Sequence, residues 1–392
     1  MPNTKPDHSP AGARCVKSQC ILVLQGGGAL GAYQGGVYQM LASTHRDPDW
    51  VAGVSIGAIN ASLIAGNSPQ RRLQRLREFW DLVSSPMPGG LDALLGGKLR
   101  SAFNEVSAMR GVLFGVPGFF TPRIPGADWH PRGSAAAISH YDTAPLARTL
   151  ERLVDFDRIN DGPTRLSVGA VNVRTGNYEY FDSATRRLDA RHVIASGALP
   201  PGFPPVEIDG EYYWDGGLVS NTPLQYVLDQ PSRQRRMVFQ VDLFSALGSL
   251  PQTMGDVVMR EKDIRFSSRT RLNTDHAVAR RHLADAARRL LAKLPARLRE
   301  DPDVRAIQAG LDEHAGGIEI VHLIYRSKHY ETQSKDYEFS RRSMIEHWDA
   351  GVADMTRTLA DPRWTQLDPD APGVHVFDVP AAAESTHEDK PA

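Results

Sequence analysis

Cys20-Ile21-Leu22-Val23-Leu24-Gln25-Gly26-Gly27-Gly28-Ala29-Leu30-Gly31 and, a little further on, Trp50-Val51-Ala52-Gly53-Val54-Ser55-Ile56-Gly57 are the stretches whose reading decides the fold. Each begins with a short apolar run and ends in glycines, the pattern of a buried strand: Cys20 to Leu24 in the first, Trp50 to Val54 in the second. The residues behind them, Ala32 to Ala42 and Ile56 to Ala65, have helix-compatible spacing, and Gly66 with Asn67 closes the second helix. Strand, helix, strand, helix is a parallel α/β unit. A third helix is predicted over Pro69 to Leu82, with Leu73, Leu76, Phe79 and Trp80 on one side. From Ser84 to Ser139 the chain turns rich in Gly and Pro, which predicts an insertion of loops and short helices. Strand patterning resumes at Arg165 to Val173 and Tyr178 to Phe181, a helix follows at His192 to Leu199, and Met237 to Leu243 is another buried strand. The class is α/β, with an interrupted and then completed sheet.

The glycine segment spells G-x-G-x-x-G through Gly26, Gly28 and Gly31, between a strand and a helix. Alone, that is a dinucleotide fingerprint. Its confirming acid belongs at the end of the second strand. Here Asp47 and Asp49 precede that strand, and the strand ends in Gly-x-Ser-x-Gly, for which a dinucleotide fold has no use. No Gly-Lys-Ser/Thr follows, so it is not a nucleotide phosphate loop. The other chemistry open to such glycines is a set of backbone N–H donors for an oxyanion, here Gly26, Gly27 and Gly28.

Ser55 either caps the Ile56 to Ala65 helix or stands on a strand-to-helix elbow as a nucleophile, with Gly53 and Gly57 allowing close backbone approach. The apolar strand in front and the helix dipole behind favour the nucleophile. A serine needs a base. The usual α/β-hydrolase order demands a late histidine, but no His-Gly-Gly-Gly segment occurs, and His322 and His329 lack distinguishing context. The alternative lies in Trp214-Asp215-Gly216-Gly217-Leu218-Val219-Ser220-Asn221-Thr222-Pro223, where Asp215 is either a hairpin turn residue or a desolvated carboxylate of raised pKa.

Composition bounds the partners. The chain has 392 residues, 41% hydrophobic and 23% charged, enough for one large or two ordinary domains. A net charge of −1 gives no global attraction to nucleic acid or anionic membranes. Only two cysteines, Cys15 and Cys20 in the polar leader, point to a reducing compartment without disulfide staples. The leader Met1 to Ser18 has no apolar run of signal-peptide kind. A soluble, cytoplasmic protein with at most peripheral membrane contact is expected. Between Met259 and Arg305, thirteen Lys/Arg face seven Asp/Glu, and Val278, Leu283, Ala287, Leu290 and Leu294 recur at helical spacing. This basic amphipathic helix either packs one face on the body or binds an anionic lipid surface. Ile318 to Tyr325 reads as a strand. A last helix carries the stripe Ile345, Trp348, Val352, Met355 and Leu359, and Ala381 to Ala392 is polar and expected to be disordered.

The ordered set Gly26-Gly27-Gly28-Ala29-Leu30-Gly31, Gly53-Val54-Ser55-Ile56-Gly57-Ala58-Ile59-Asn60-Ala61 and Asp215-Gly216-Gly217 resembles the patatin-like phospholipases. Ala195-Ser196-Gly197-Ala198-Leu199-Pro200-Pro201-Gly202-Phe203-Pro204-Pro205-Val206 is similar to that family's proline-rich segment ahead of its aspartate. The resemblance covers roughly 20–245, and the region after it, including Lys335-Asp336-Tyr337-Glu338-Phe339-Ser340, looks like the C-terminal extension of a bacterial subgroup. Leu30 departs from the Arg or Lys that many members carry there. The resemblance implies a three-layer α/β/α fold with a mostly parallel sheet. It divides the chain into a leader (1–19), a catalytic domain (20–245, insertion 84–139), a mainly helical extension (246–370) and a tail (371–392). It further implies a histidine-free Ser55–Asp215 dyad hydrolysing a lipid or acyl ester through an acyl-enzyme, with the Gly26–Gly28 loop as oxyanion hole and neither metal nor cofactor needed. Leu113, Phe114, Phe119 and Phe120 in the insertion are read either as an acyl pocket or as core anchors. Two rival functions stay open, a catalytically silent lipid-binding scaffold and a dinucleotide-binding oxidoreductase; the oligomeric state is not legible.

Overall fold

The computed structural model describes residues 18–84, 97–267, 270–313, 315–328, 330–362 and 374–378. In chain order its strands are β1 Gln19–Leu24, β2 Trp50–Gly53, β3 Thr121–Pro122, β4 Tyr141–Asp142, β5 Arg165–Asn172, β6 Tyr178–Asp182, β7 Val206–Ile208, β8 Glu211–Asp215, β9 Arg236–Asp242, β10 Ile318–Ile324 and β11 Val374–Asp378. All but β3 and β4 form one sheet, ordered β11-β10-β9-β1-β2-β5-β8-β7, with β6 also paired to β5. Pairing is parallel from β11 through β5 and antiparallel from β5 to β6, β8 and β7.

Side chains alternate across a strand, so β1 supplies both faces of the sheet. Leu22 and Leu24 point to one, covered by helices α1 Ala32–Ser43, α2 Ile56–Ala65 and α3 Pro69–Val83 and by the Arg341–Ala360 helix. Ile21 and Val23 point to the other, against Leu224, Val227 and Leu228 of the Leu224–Asp229 helix. The result is a mostly parallel α/β/α sandwich in which β1 and β2 are central. Their carboxyl ends release the glycine segment and the Ser55 turn side by side.

Residues 246–378 are mostly helical, and they also extend the sheet. β10 adds beside β9 in register Ile318↔Arg236, and β11 adds beside β10. The Arg341–Ala360 helix packs along α1, where Tyr33 Oη donates to Asp354 at 2.8 Å and Trp348 Nε1 donates to Gln39 at 2.8 Å. Among the described residues no helix is long and apolar enough to cross a membrane.

Four expectations need correction. The insertion contains an 18-residue helix, α4 Gly97–Phe114; its helix formers were diluted by the Gly- and Pro-rich text around them. The basic stretch is not one helix: Thr270–Ala292 ends ahead of Pro295, and the separate helices Ala296–Arg299 and Pro302–Glu313 follow. Its apolar stripe does not define the inner face either, since Leu283 and Leu290 are exposed, whereas Arg281 is buried and donates to Gly316 O at 2.9 Å. Cys20 lies inside β1, where burial pushes its thiol up to about 12, and β11 occupies part of the segment read as tail. Cys15, His329, the leader through residue 17 and Ala381 to Ala392 lie outside the described residues.

Candidate active site

Ser55 is the N-cap of α2 with φ 56° and ψ −125°, a left-handed backbone that few non-glycine residues adopt. The turn is tight. A Cβ on Gly53 would lie 2.3 Å from the Gly57 carbonyl oxygen, and one on Gly57 would lie 2.2 Å from that of Leu24. Only glycine fits either side of the serine, which is the physical content of the Gly-x-Ser-x-Gly pattern.

The strained conformation has an identifiable support. Ser196, at the end of the Ala190–Ser196 helix, receives the Ser55 N–H at both its carbonyl oxygen and its Oγ, each at 3.1 Å. Its own hydroxyl donates to Gly169 O of β5 at 2.6 Å. Ser196 thus ties the elbow to the sheet, and it is fully buried. Replacing it by Ala is expected to lower stability by about 1–2 kcal/mol; an unchanged denaturation midpoint would remove this supporting role.

Asp215 ends β8, which pairs antiparallel with β5 at Ala170. It is 2% exposed, and its Oδ1 accepts from Gly217 N–H at 2.7 Å. Burial pushes its carboxyl up to about 7, while the Ser55 hydroxyl and the Gly217 N–H draw it partly back. Ser55 and Asp215 line the same cavity, and the serine is among the groups acting on the carboxylate. Gly216 and Gly217 serve the turn that aims Asp215 inward: Gly216 packs under Gly169 O, and Gly217 provides the N–H.

The glycine loop closes the third side. Gly26 N–H is donated to Asn221 O at 3.1 Å, and Asn221 Nδ2 donates back to Gly26 O at 2.8 Å. This clamp joins the loop to the segment just after Asp215 and engages the Gly26 donor. Ala29 N–H goes to Asp336 O at 2.8 Å. Among the described residues, nothing accepts from Gly27 N–H or Gly28 N–H, so these two are the donors left for an oxyanion. Behind the loop, Gln25 Oε1 accepts from Leu243 N–H and Phe244 N–H, Gln34 donates to Gln25 O, and Asn60 donates to Gly31 O. These satisfied buried polar groups fix the loop against β9, α1 and α2. Gly31 itself packs on Ile56 and Trp80.

The cavity above the dyad holds about 330 Å³. Phe119, Phe120, Phe203 and Phe339 form its apolar wall, with ring centroids 5.3–6.1 Å apart in successive tilted and edge-to-face pairs. The four insertion residues therefore divide: Phe119 and Phe120 line the cavity, while Leu113 and Phe114 are exposed. Phe266, Asp336, Tyr337 and Phe339 bring the C-terminal region into the wall. Leu30 is buried and directs no charge into the site. Ser196, Asn221 and the C-terminal wall residues were not identified as site residues from the sequence. Ser196 and Asn221 stood inside segments already singled out, but their partners lie 141 and 195 residues away.

Residues 22–228 match the family model of patatin-like phospholipases, and residues 264–371 match a second model described as patatin phospholipase. Among curated proteins, the chain is 25% identical over 236 residues to the cGAMP-activated phospholipase of Escherichia coli (strain TW11681), covering 56% of this chain and 58% of that protein. It is 26% identical over 246 residues to lysophospholipase NTE1 of Candida glabrata, covering 62% of this chain and 12% of that one. The matched regions thus span less than two thirds of each relative. Among solved structures, VipD from Legionella pneumophila aligns with a TM-score of 0.37 at 16% identity, over 88% of this chain and 67% of that one.

Proposed function

Because the chain belongs to the patatin-like phospholipase family, we propose that it is a serine lipid acyl hydrolase in which Ser55 is the nucleophile and Asp215 the base. The observation that carries this reading is the meeting of a strained serine and a buried carboxylate of raised pKa at one apolar cavity. Asp215 takes the proton of Ser55 Oγ as Oγ attacks the ester carbonyl. Gly27 and Gly28 N–H groups, at the start of the glycine turn, hold the oxyanion. Asp215 then returns its proton to the departing alcohol, leaving an acyl-Ser55 ester. Water, deprotonated by Asp215, attacks that ester, and Asp215 returns the proton to Ser55 Oγ as the bond to the acyl group breaks and the carboxylic acid leaves. The phenylalanine wall receives the acyl chain, which favours a long-chain lipid over a short hydroxyacyl ester.

A carboxylate is ordinarily too weak a base for a serine. Burial raises Asp215 toward neutrality and strengthens it as a proton acceptor, at the cost of leaving it protonated below its pKa. With a substrate that does not titrate, log kcat/KM is expected to rise with slope one to a plateau above about pH 7. A midpoint near pH 4 would show a solvated aspartate and remove this reading of its role. Fluorophosphonate labelling, followed by peptide mapping, tests the nucleophile directly. Modification at Ser55 is expected, and an unmodified Ser55 in folded protein would overturn the assignment and leave a lipid-binding scaffold.

A further inference from the structure

The acyl cavity has an open end and a closed one. At the open end Val112 and Leu199 are 46% and 40% exposed, whereas Ile59, Phe120 and Phe339 at the other end are buried. Ile59 lies about one turn beyond Ser55 along α2, so the closed end runs down that helix from the serine. Phe119 finishes it. Its ring meets Phe339 of the C-terminal region at 5.9 Å and Phe203 at 6.1 Å, and it also meets Phe79 of α3 at 6.5 Å. Phe79 is fully buried in the core, outside the cavity wall. One ring therefore stands between the cavity and the core behind it.

The backbone that carries this ring is fixed. Val116 N–H donates to Phe120 O at 2.9 Å and Phe119 N–H donates to Val116 O at 3.0 Å, closing a tight turn. Within it Gly118 has φ +70°, and its carbonyl oxygen accepts from Thr149 Oγ1 at 2.8 Å. A Cβ on Gly118 would lie 2.4 Å from the Leu82 side chain, so the turn sits directly on α3. Held in this way, Phe119 is a rigid stop and not the tip of a swinging loop.

We infer that Phe119 sets the upper limit on the length of acyl chain that the site takes. The inference rests on the serine hydrolase reading and adds to it a chain-length class. The cavity volume of about 330 Å³ is roughly twice the ~150 Å³ that encloses the six carbons of benzene, so it seats an acyl chain of about a dozen carbons. A longer chain meets the Phe119 ring and has to leave its surplus carbons at the open end, in water. Truncating Phe119 would extend the closed end to Phe79 and admit them.

The test measures kcat/KM for nitrophenyl esters from butanoyl to octadecanoyl in one dispersing detergent, with active sites counted by fluorophosphonate titration of Ser55. In the parent, kcat/KM is expected to peak at about a dozen acyl carbons and fall beyond. Phe119→Ala is expected to raise the ratio of kcat/KM for the hexadecanoyl ester to that for the decanoyl ester by about tenfold or more, Phe119→Leu to raise it less, and the larger Phe119→Trp to lower it. The leucine and tryptophan variants keep the result decisive where the alanine variant fails to fold. Ratios unchanged from the parent, or a loss equal at every length, would overturn the limit. Ser55-dependent hydrolysis by the parent reports separately on the hydrolase reading. Its absence at every chain length would end that reading, whereas flat ratios among active variants would end only the role of Phe119.

Discussion

Ser55→Ala and Asp215→Asn are each expected to lower kcat by about four orders of magnitude or more while the protein stays folded, the loss that the proposed dyad predicts for groups that act together. The double variant is expected to be no worse than the poorer single one, because neither group works without the other. Ser55→Ala removes one oxygen and keeps the backbone N–H that Ser196 receives. Asp215→Asn preserves shape, and its amide oxygen still accepts from Gly217 N–H. Stability should move in the opposite direction to activity. Asp215 has a native pKa of about 7 against 3.8 in the unfolded chain. Below pH 3.8 it is protonated in both states and has no linkage effect. As pH rises toward 7 the unfolded chain ionises first and the native state loses stability, by up to ~4 kcal/mol above pH 7. Asn removes that cost, so thermal denaturation should show Asp215→Asn stabilised relative to the parent, and more at pH 8 than at pH 5. Retained turnover in either folded variant would end the dyad reading; a pH-independent change in melting temperature would show that Asp215 is not the buried carboxylate of raised pKa described above.

Much of this site was legible in the sequence, for a local reason. Strand, glycine turn and helix are encoded by residues adjacent in the chain, so α1, α2 and α3 begin where the glycine, serine and proline punctuation places them, and α2 ends at Gly66 as read. Ser55 and Asp215 stand out because a tight turn at each is written in flanking glycines. What the sequence hid is what the fold assembles from afar. The Ser196 support and the Asn221 clamp are single hydrogen-bonding residues whose partners are remote in sequence, and no local pattern marks them. The acyl cavity draws its rings from the insertion, the proline-rich segment and the C-terminal region, so no one stretch looks like a pocket. Ile318 to Tyr325 reads as a strand, but its place beside β9 depends on a pairing register that one strand cannot specify. The Gly26 to Gly28 loop reads as three equivalent donors, and only the contacts of Gly26 with Asn221 reduce it to two.

That reduction gives the glycine loop a sharper test. Gly28→Ala is expected to lower kcat about 10²- to 10³-fold with little change in KM, the range for losing one oxyanion donor. Two features of Gly28 act together. Its φ is +54°, a region costly for alanine, and an added Cβ would lie 2.0 Å from the carbonyl oxygen of Asp336. The contact is with backbone, so no side-chain rotation relieves it. Either the loop withdraws, taking the Gly28 N–H away from the developing oxyanion, or the Asp336 segment lifts. The second course is resisted by Lys262, whose Nζ holds Asp336 Oδ1 at 2.7 Å and Gln333 O at 2.9 Å, and by Lys335, buried and bound to Asp263 at 2.7 Å. Loop withdrawal is therefore the expected response, and it moves the donor without removing the acyl cavity. The kcat and KM of Gly28→Ala decide the matter together with single-turnover acylation by a nitrophenyl ester. A slowed acylation step at unchanged KM places the Gly28 N–H at the oxyanion. A variant that acylates at the parental rate would show that the oxyanion is held elsewhere. The C-terminal region enters the chemistry through the same contact, since Asp336 sets how far the loop can move. Removing the Lys262 tie with Lys262→Met in the Gly28→Ala background should let the segment lift and recover part of the lost acylation rate.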